Sequence, residues 1–254
     1  MKTRYFINLC FKGTRYHGWQ SQPNALSVQQ VVNNALSTVI RDEISTAGAG
    51  RTDTGVHARF FTAHFDSHFD DLAIRKTGII RQLNGFLPAD IAISDLYKVS
   101  PDAHARFSAI SRTYEYTILR CKNPFLDEFA WLYTANLNVN KMNEAAKILM
   151  DNDNFTSFAK LHSNNKTPIC KVEYAIWKET EGKYTFAIKA DRFLRNMVRA
   201  IVGTLIEAGK GKINKNDFLN IINLRNRSFA GVSVPACGLA LTDIEYPKSI
   251  FEEC

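Results

Sequence analysis

A chain of 254 residues, 45% hydrophobic and 22% charged, has the composition of a globular protein long enough to bury one large core or two small ones. Its 32 basic against 25 acidic residues leave a net charge of +7, which favours polyanionic partners such as nucleic acid or a phosphorylated substrate. No apolar run reaches the roughly 18–20 residues of a membrane span, and the 5 cysteines, without a CxxC pair, argue against a disulfide framework or zinc knuckle and for a reducing cytoplasm.

In chain order, residues 3–11 are rich in β-branched and aromatic side chains and predict a strand, without the continuous apolar core of a cleavable leader. Ser27-Val-Gln-Gln30 has the form of a capping box and opens a helix to about residue 40, with Val28, Val31, Val32, Ala35, Leu36 and Val39 on one face. A short strand near residues 44–47 leads into a glycine loop, and FFTAHFDS continues as the next strand. Asp70 and Asp71 suit a helix N-terminus; that helix is expected to run to about Leu83, where Asn84-Gly85 stops it, and IAISDLYKV follows as a strand.

The second half repeats the order without repeating the sequence. RTYEYTILR predicts a strand and residues 139–150 a helix; KVEYAIWKET and KYTFAIKA form a hairpin turning at Glu181-Gly182; a helix over 193–208 and a final strand, GLALTDIEY, complete it. The expected fold class is α+β: two ferredoxin-like (β-α-β-β-α-β) halves, residues 1–103 and 104–254, with mainly antiparallel sheets packed around a central catalytic cleft.

Four stretches carry chemistry-bearing residues. GAGRTDTGVHARF crowds Arg51, Asp53 and His57 among Gly48, Gly50 and Gly55. A plain turn would use the same residue types, but Arg51 two residues from Asp53 favours an ionised carboxylate, and the glycines let a bulky partner approach. FKGTRYHGWQSQP interleaves Tyr16, His17 and Trp19 with Lys12 and Arg15, which fits either a base-stacking surface or a loop anchored to the core by Trp19. RFSAISRTYEY puts Tyr114 and Tyr116 on one strand face, as core residues or as a base-stacking edge. In DRFLRNMVRAIVGTLIEAG, Leu194, Met197, Val198, Ile201 and Leu205 form an apolar stripe, and Arg192, Arg195 and Arg199 fall within about 60° of one another on a helical wheel. A solvated basic face and a set of bidentate phosphate or carboxylate contacts both account for the arginines. His64 and His68 have i,i+4 spacing but no third ligand nearby, so no metal site is expected. Walker, complete GxGxxG, GxSxG and HExxH motifs are all missing.

Taken together and in order, FKGTRYHGWQSQP, AGRTDTGVHA, LPADIAI, HARFSAISRTYEY, DNFTSFA, FLRNMVRAIVGTL and GLALTDIEYP resemble the tRNA pseudouridine synthases of the TruA type, over nearly the whole chain from Tyr5 to Pro247. The resemblance implies cofactor-free isomerisation of uridine to pseudouridine in the tRNA anticodon stem-loop, at positions 38, 39 and 40, by a cytoplasmic homodimer. It places the essential carboxylate at Asp53, the base-stacking tyrosine at Tyr114, the arginine that pairs with the carboxylate at Arg199 and a base-displacing arginine at Arg51. Arg192 and Arg195 become candidate substrate contacts, and neither metal nor membrane is implied. Attack on C1′, attack on the base and proton removal from C2′ all remain open to the carboxylate. Ala58 and the charged pair Asp191-Arg192 depart from the family pattern. A non-catalytic basic RNA-binding module would explain the charge and the aromatics but not an acid in a glycine loop; an enzyme acting on a free nucleotide would not need so wide a basic surface.

Overall fold

The computed structural model describes residues 2–160 and 167–251, so Cys254 lies outside the described residues. The chain forms two compact units: residues 1–110 with 241–254, and residues 111–240. Each combines helices with a mostly antiparallel sheet, an α+β architecture.

In the first unit β1 (Thr3–Phe11) is followed by α1 (Val28–Ile40), β2 (Ala47–Gly48), β3 (His57–Ser67), α2 (Lys76–Phe86) and β4 (Ile91–Lys98). β1 lies in the middle, antiparallel to β3 on one side and to β4 on the other, with Tyr5 opposite Phe65 and Lys98. Its residues Tyr5, Phe6, Ile7, Leu9 and Phe11 are all buried, which is why this strand reads as a nearly continuous apolar run. Ser27 caps α1 by accepting the Gln30 N–H at 3.3 Å, and Arg41 in the left-handed region (φ 60°) closes it.

Polar side chains of α1 explain why the strand expected at 44–47 shrinks to Ala47–Gly48. Asn33 Oδ1 accepts both the N–H and the hydroxyl of Thr46, at 3.0 and 2.7 Å, and Ser37 Oγ accepts the Ile44 N–H at 3.0 Å. Donors that a strand would offer to a neighbour are thus already taken. α2 also differs from expectation. It starts at Lys76, several residues beyond Asp71, and runs through Asn84-Gly85 to Phe86. Asn84 is a clip and not a stop: its side chain donates to the Ile93 carbonyl at 2.9 Å and accepts the Ile93 N–H at 2.8 Å. Pro88, which biases Leu87 to extended backbone (ψ 147°), ends the helix instead.

The second unit holds β5 (Ser111–Leu119), β6 (Trp131–Leu132), α3 (Val139–Lys147), β7 (Val172–Thr180), β8 (Lys183–Ala190), α4 (Met197–Gly209) and α5 (Lys215–Asn223). β8 is central, antiparallel to β5 and β7, while the short β6 runs parallel to β5. The β7–β8 hairpin turns at Glu181-Gly182 as expected, with Gly182 at φ +75°. α3 ends at Lys147, and the chain continues to Asp151 as a 3₁₀ turn. α5 has no counterpart in the sequence reading. α4 is buried almost all round; a Cβ on Gly203 would overlap the Val232 carbonyl, so the helix and the 231–234 segment touch backbone to backbone. β9 (Leu239–Glu245) returns the chain to the first unit, beside β3. Among the described residues no helix is long and apolar enough to cross a membrane, and Cys10, Cys121, Cys170 and Cys237 are free thiols.

Candidate active site

The Asp53 loop has no regular structure of its own and takes its shape from the segment after β1. Thr52 Oγ1 accepts the Trp19 N–H at 2.9 Å, the Tyr16 carbonyl accepts the Gly55 N–H at 3.3 Å, and His57 Nδ1 accepts the buried Gly13 N–H at 3.0 Å. Gly13 and Gly18 lie so close to the loop that a Cβ on either would overlap the carbonyl of Val56 or Thr52 respectively. Asp53 then opens a tight turn, its carbonyl accepting the Val56 N–H at 3.1 Å, with Gly55 at φ +81° in the position that demands positive φ. Asp53 is half-buried and Arg51 exposed, on either side of the buried Thr52. The loop is a rigid mount with a carboxylate at its turn.

The surrounding aromatics belong to that mount. Tyr16 and Trp19 are 2% and 1% exposed, which removes them as a base-stacking surface. Trp19 packs on Phe61 with centroids 4.3 Å apart and fills the space over Gly48. Tyr16 donates to Asp90 at 2.7 Å, and Arg15 Nε reaches the other oxygen of that carboxylate at 2.6 Å. Burial and the Asp90 partner push the Tyr16 hydroxyl up to about 12. Of the three rings in this stretch, Tyr16, His17 and Trp19, His17 alone is exposed.

His57, His64 and His68 each make contacts within the fold. By accepting the Gly13 N–H, His57 Nδ1 helps to orient the loop. His64 Nδ1 accepts the Ala105 N–H at 3.1 Å, and His68 pairs with Asp42 at 3.1 Å. Among the described residues no group of three or more His, Cys, Asp or Glu is placed to hold a metal ion. Burial, then the charges of His104 and Arg4, push His64 down to about 4 from an ordinary value of 6.5, against the opposing pull of Asp66. The unfolded chain therefore binds the extra proton first as pH falls, so His64 contributes stability in full above 6.5 and loses it on the way to about 4. The melting temperature should drop between pH 6.5 and 4.5. A His64→Gln variant, which keeps an acceptor but cannot titrate, should show a shallower slope by calorimetry; an identical slope would remove His64 as the cause.

In the second unit the two tyrosines separate. Tyr116 is fully buried and donates to the Pro235 carbonyl at 2.8 Å, its pKa pushed far up by desolvation. Tyr114, opposite Ile188 of β8, is half-buried, and its ring meets Phe193 edge to face with centroids 5.2 Å apart.

The arginine face is corrected by the structure. α4 begins at Met197, so Arg192 and Arg195 precede it and share no helical wheel with Arg199. The break is Asn196, in the left-handed region at φ 65°, where its short polar side chain is tolerated and donates to Ser233 Oγ at 2.6 Å. The Arg195 carbonyl instead accepts the Lys160 N–H at 3.0 Å. Arg195 is exposed and Arg192 half-buried. Arg199 sits in the first turn of α4 and is gripped by Val234 twice: its Nε donates to the Val234 carbonyl at 2.8 Å, and its own carbonyl accepts the Val234 N–H at 3.3 Å. The stripe residues Leu194, Met197, Val198, Ile201 and Leu205 are buried as expected. Thr52, Asn196 and Val234 were not singled out in the sequence. Of these only Asn196, a turn former inside an apolar helical pattern, left a signal there.

Residues 145–247 match the protein family described as tRNA pseudouridine synthase. Over nearly its full length the chain is similar to proteins named tRNA pseudouridine synthase A. It is 50% identical over 250 residues to that of Bacteroides fragilis, covering 98% of both chains. To that of Porphyromonas gingivalis it is 48% identical over 250 residues, covering 98% of this chain and 99% of the other. To that of Thermoanaerobacter pseudethanolicus it is 37% identical over 239 residues, covering 93% and 96%.

Proposed function

The chain belongs to the tRNA pseudouridine synthase family, and from that premise we propose that it isomerises uridine to pseudouridine in tRNA, at positions 38, 39 and 40 of the anticodon stem-loop. The observation that carries the reading is the end-to-end likeness to proteins of that name.

The reaction is an intramolecular transfer. The C1′–N1 bond breaks, a C1′–C5 bond forms, a proton leaves C5 and one returns to the ring nitrogen. No hydride, phosphoryl or acyl group moves, so the chemistry calls for no cofactor. It does call for a negative charge where positive character develops on the ribose. Asp53 supplies that charge from a loop whose neighbours fix its backbone. Tyr114 stacks on the extruded base, which offsets part of the few kcal/mol that unstacking costs; its ring packs edge to face with Phe193. Arg199 takes the cationic role that the resemblance implies, its guanidinium oriented by the Val234 carbonyl. Arg51 displaces the target base, and Arg192 and Arg195 meet phosphate. The enzyme acts as a cytoplasmic homodimer. The two halves, 1–103 and 104–254, are read as ferredoxin-like; support comes from the sheet order β4-β1-β3-β2 with helices after β1 and β3, and from the order β5-β8-β7 with α3 and α4 following β5 and β8.

Incubation with tRNA carrying tritium at uridine C5, with no cofactor added, tests the reading. One tritium should be released per uridine converted, and carbodiimide mapping should find pseudouridine at 38–40. Tight tRNA binding without release would leave only an RNA-binding module.

A further inference from the structure

Residues 104–107, His-Ala-Arg-Phe, take no part in the chemistry above, yet the backbone leading to Phe107 is hydrogen-bonded at His104, Ala105 and Arg106. The Ala103 carbonyl accepts from Arg4 Nη1 at 3.1 Å, and the His104 N–H donates to Ser108 Oγ at 2.9 Å. The N–H groups of Ala105 and Arg106 donate to His64 Nδ1 and His104 Nδ1, each at 3.1 Å. The Ala105 carbonyl accepts the Tyr246 hydroxyl, and the His104 carbonyl accepts the Ser108 N–H at 2.9 Å. Beneath lies a column of rings: His64, buried, with His104 at 4.4 Å and Phe107 a further 4.4 Å on.

What this scaffold holds out is an apolar ring. Phe107 is 74% exposed, and the Arg106 guanidinium sits 5.4 Å from its centroid. An exposed ring on a mobile loop calls for no explanation; one on a backbone this constrained is presented. An exposed ring with a guanidinium lying over it offers a nucleobase a π-face or a guanidinium plane to stack on, and the arginine meets the phosphate charge. The net charge of +7 points to the same partner.

We propose that Phe107, with Arg106 over its ring, is a stacking platform for an unpaired nucleobase of the tRNA other than the uridine being isomerised. The inference rests on the tRNA reading above. Stacking of this kind tolerates any base, so the platform adds affinity and leaves the chemical step alone.

Filter binding of tRNA at fixed salt, with kcat and KM from tritium release, compares wild type with Phe107→Ala, Phe107→Leu and Phe107→Trp. The Ala and Leu variants should weaken tRNA binding and raise KM roughly 10-fold, with kcat within about 2-fold of wild type. Leu retains apolar bulk but has no π-face, so its loss marks stacking. Phe107→Trp should bind like wild type, and the fluorescence of its added indole should be quenched by tRNA. Wild-type affinity in both the Ala and Leu variants overturns the platform, as does an unquenched indole, or a Leu variant that binds normally. The quenching arm separates the two readings. Quenching by RNA in an enzyme that releases no tritium sinks the proposed reaction and leaves the platform; release with no quenching does the reverse.

Discussion

Asp53→Asn lowers pseudouridine formation by at least roughly 10³-fold, the scale on which loss of a single electrostatic group is felt at a developing charge, while the protein still folds and still binds tRNA. The substitution keeps the size and shape of the side chain and removes only its charge. The loop has anchors that do not involve that charge. It is held through Thr52, Gly55 and His57 and through the Asp53 carbonyl, which an asparagine also possesses. Nor does it sit in the element that presents Phe107, so affinity should stay within about 3-fold. Single-turnover tritium release measures the first effect, filter binding the second, and a melting temperature within about 2 °C of wild type excludes unfolding. Normal turnover by the Asn variant would end the assignment of Asp53 as the catalytic carboxylate, whatever else the family likeness supports.

Much of the architecture could be read from periodicity, and the misreadings share a cause. α1, the β7–β8 hairpin and the apolar stripe of α4 follow directly from alternation or 3.6-residue spacing. Asn84, Asn33 and Asn196 were the obstacles. Each is an ordinary turn former in isolation, yet one clips a helix to a strand, one takes the donors of a would-be strand, and one sets the start of α4 four residues late. Which role an amide plays depends on what lies opposite it in the fold, information that local pattern lacks. α5 does carry a local signal: Asn214 and Asp217 form a reciprocal capping box. At the site, composition left the Asp53 loop and the Tyr16–Trp19 cluster open to two readings each. Burial resolves the cluster as the support of the loop. The site roles themselves came from the ordered motifs, because no periodicity distinguishes Tyr114 from Tyr116, one half-exposed and the other in the core.

Because support and site are so closely joined, the largest structural effect is expected at a residue with no side chain. Gly18 has φ +83°, and a Cβ there would overlap the Thr52 carbonyl. Gly18→Ala therefore incurs two penalties at once: about 1–2 kcal/mol for an alanine held in the left-handed region, and about 1–3 kcal/mol for forcing apart backbone already in contact. The sum, roughly 3 kcal/mol, corresponds to a fall in melting temperature of about 6–12 °C for a chain of this size. Its direction matters more than its size. The overlap is relieved by moving either the Gly18 peptide or the Thr52 peptide, and the second carries Asp53 with it. Activity at a temperature where the variant is still folded should thus fall by roughly 10²-fold, as an ångström's misplacement of a reacting group does, with tRNA affinity nearly unchanged. Gly50→Ala is the control, since no atom stands within 4 Å of a Cβ at that position of the same loop. It should melt close to wild type. If Gly18→Ala lost stability but kept full turnover when folded, the Gly18–Thr52 contact would stabilise the unit without placing the carboxylate, and the Asp53 loop would have to find its geometry elsewhere.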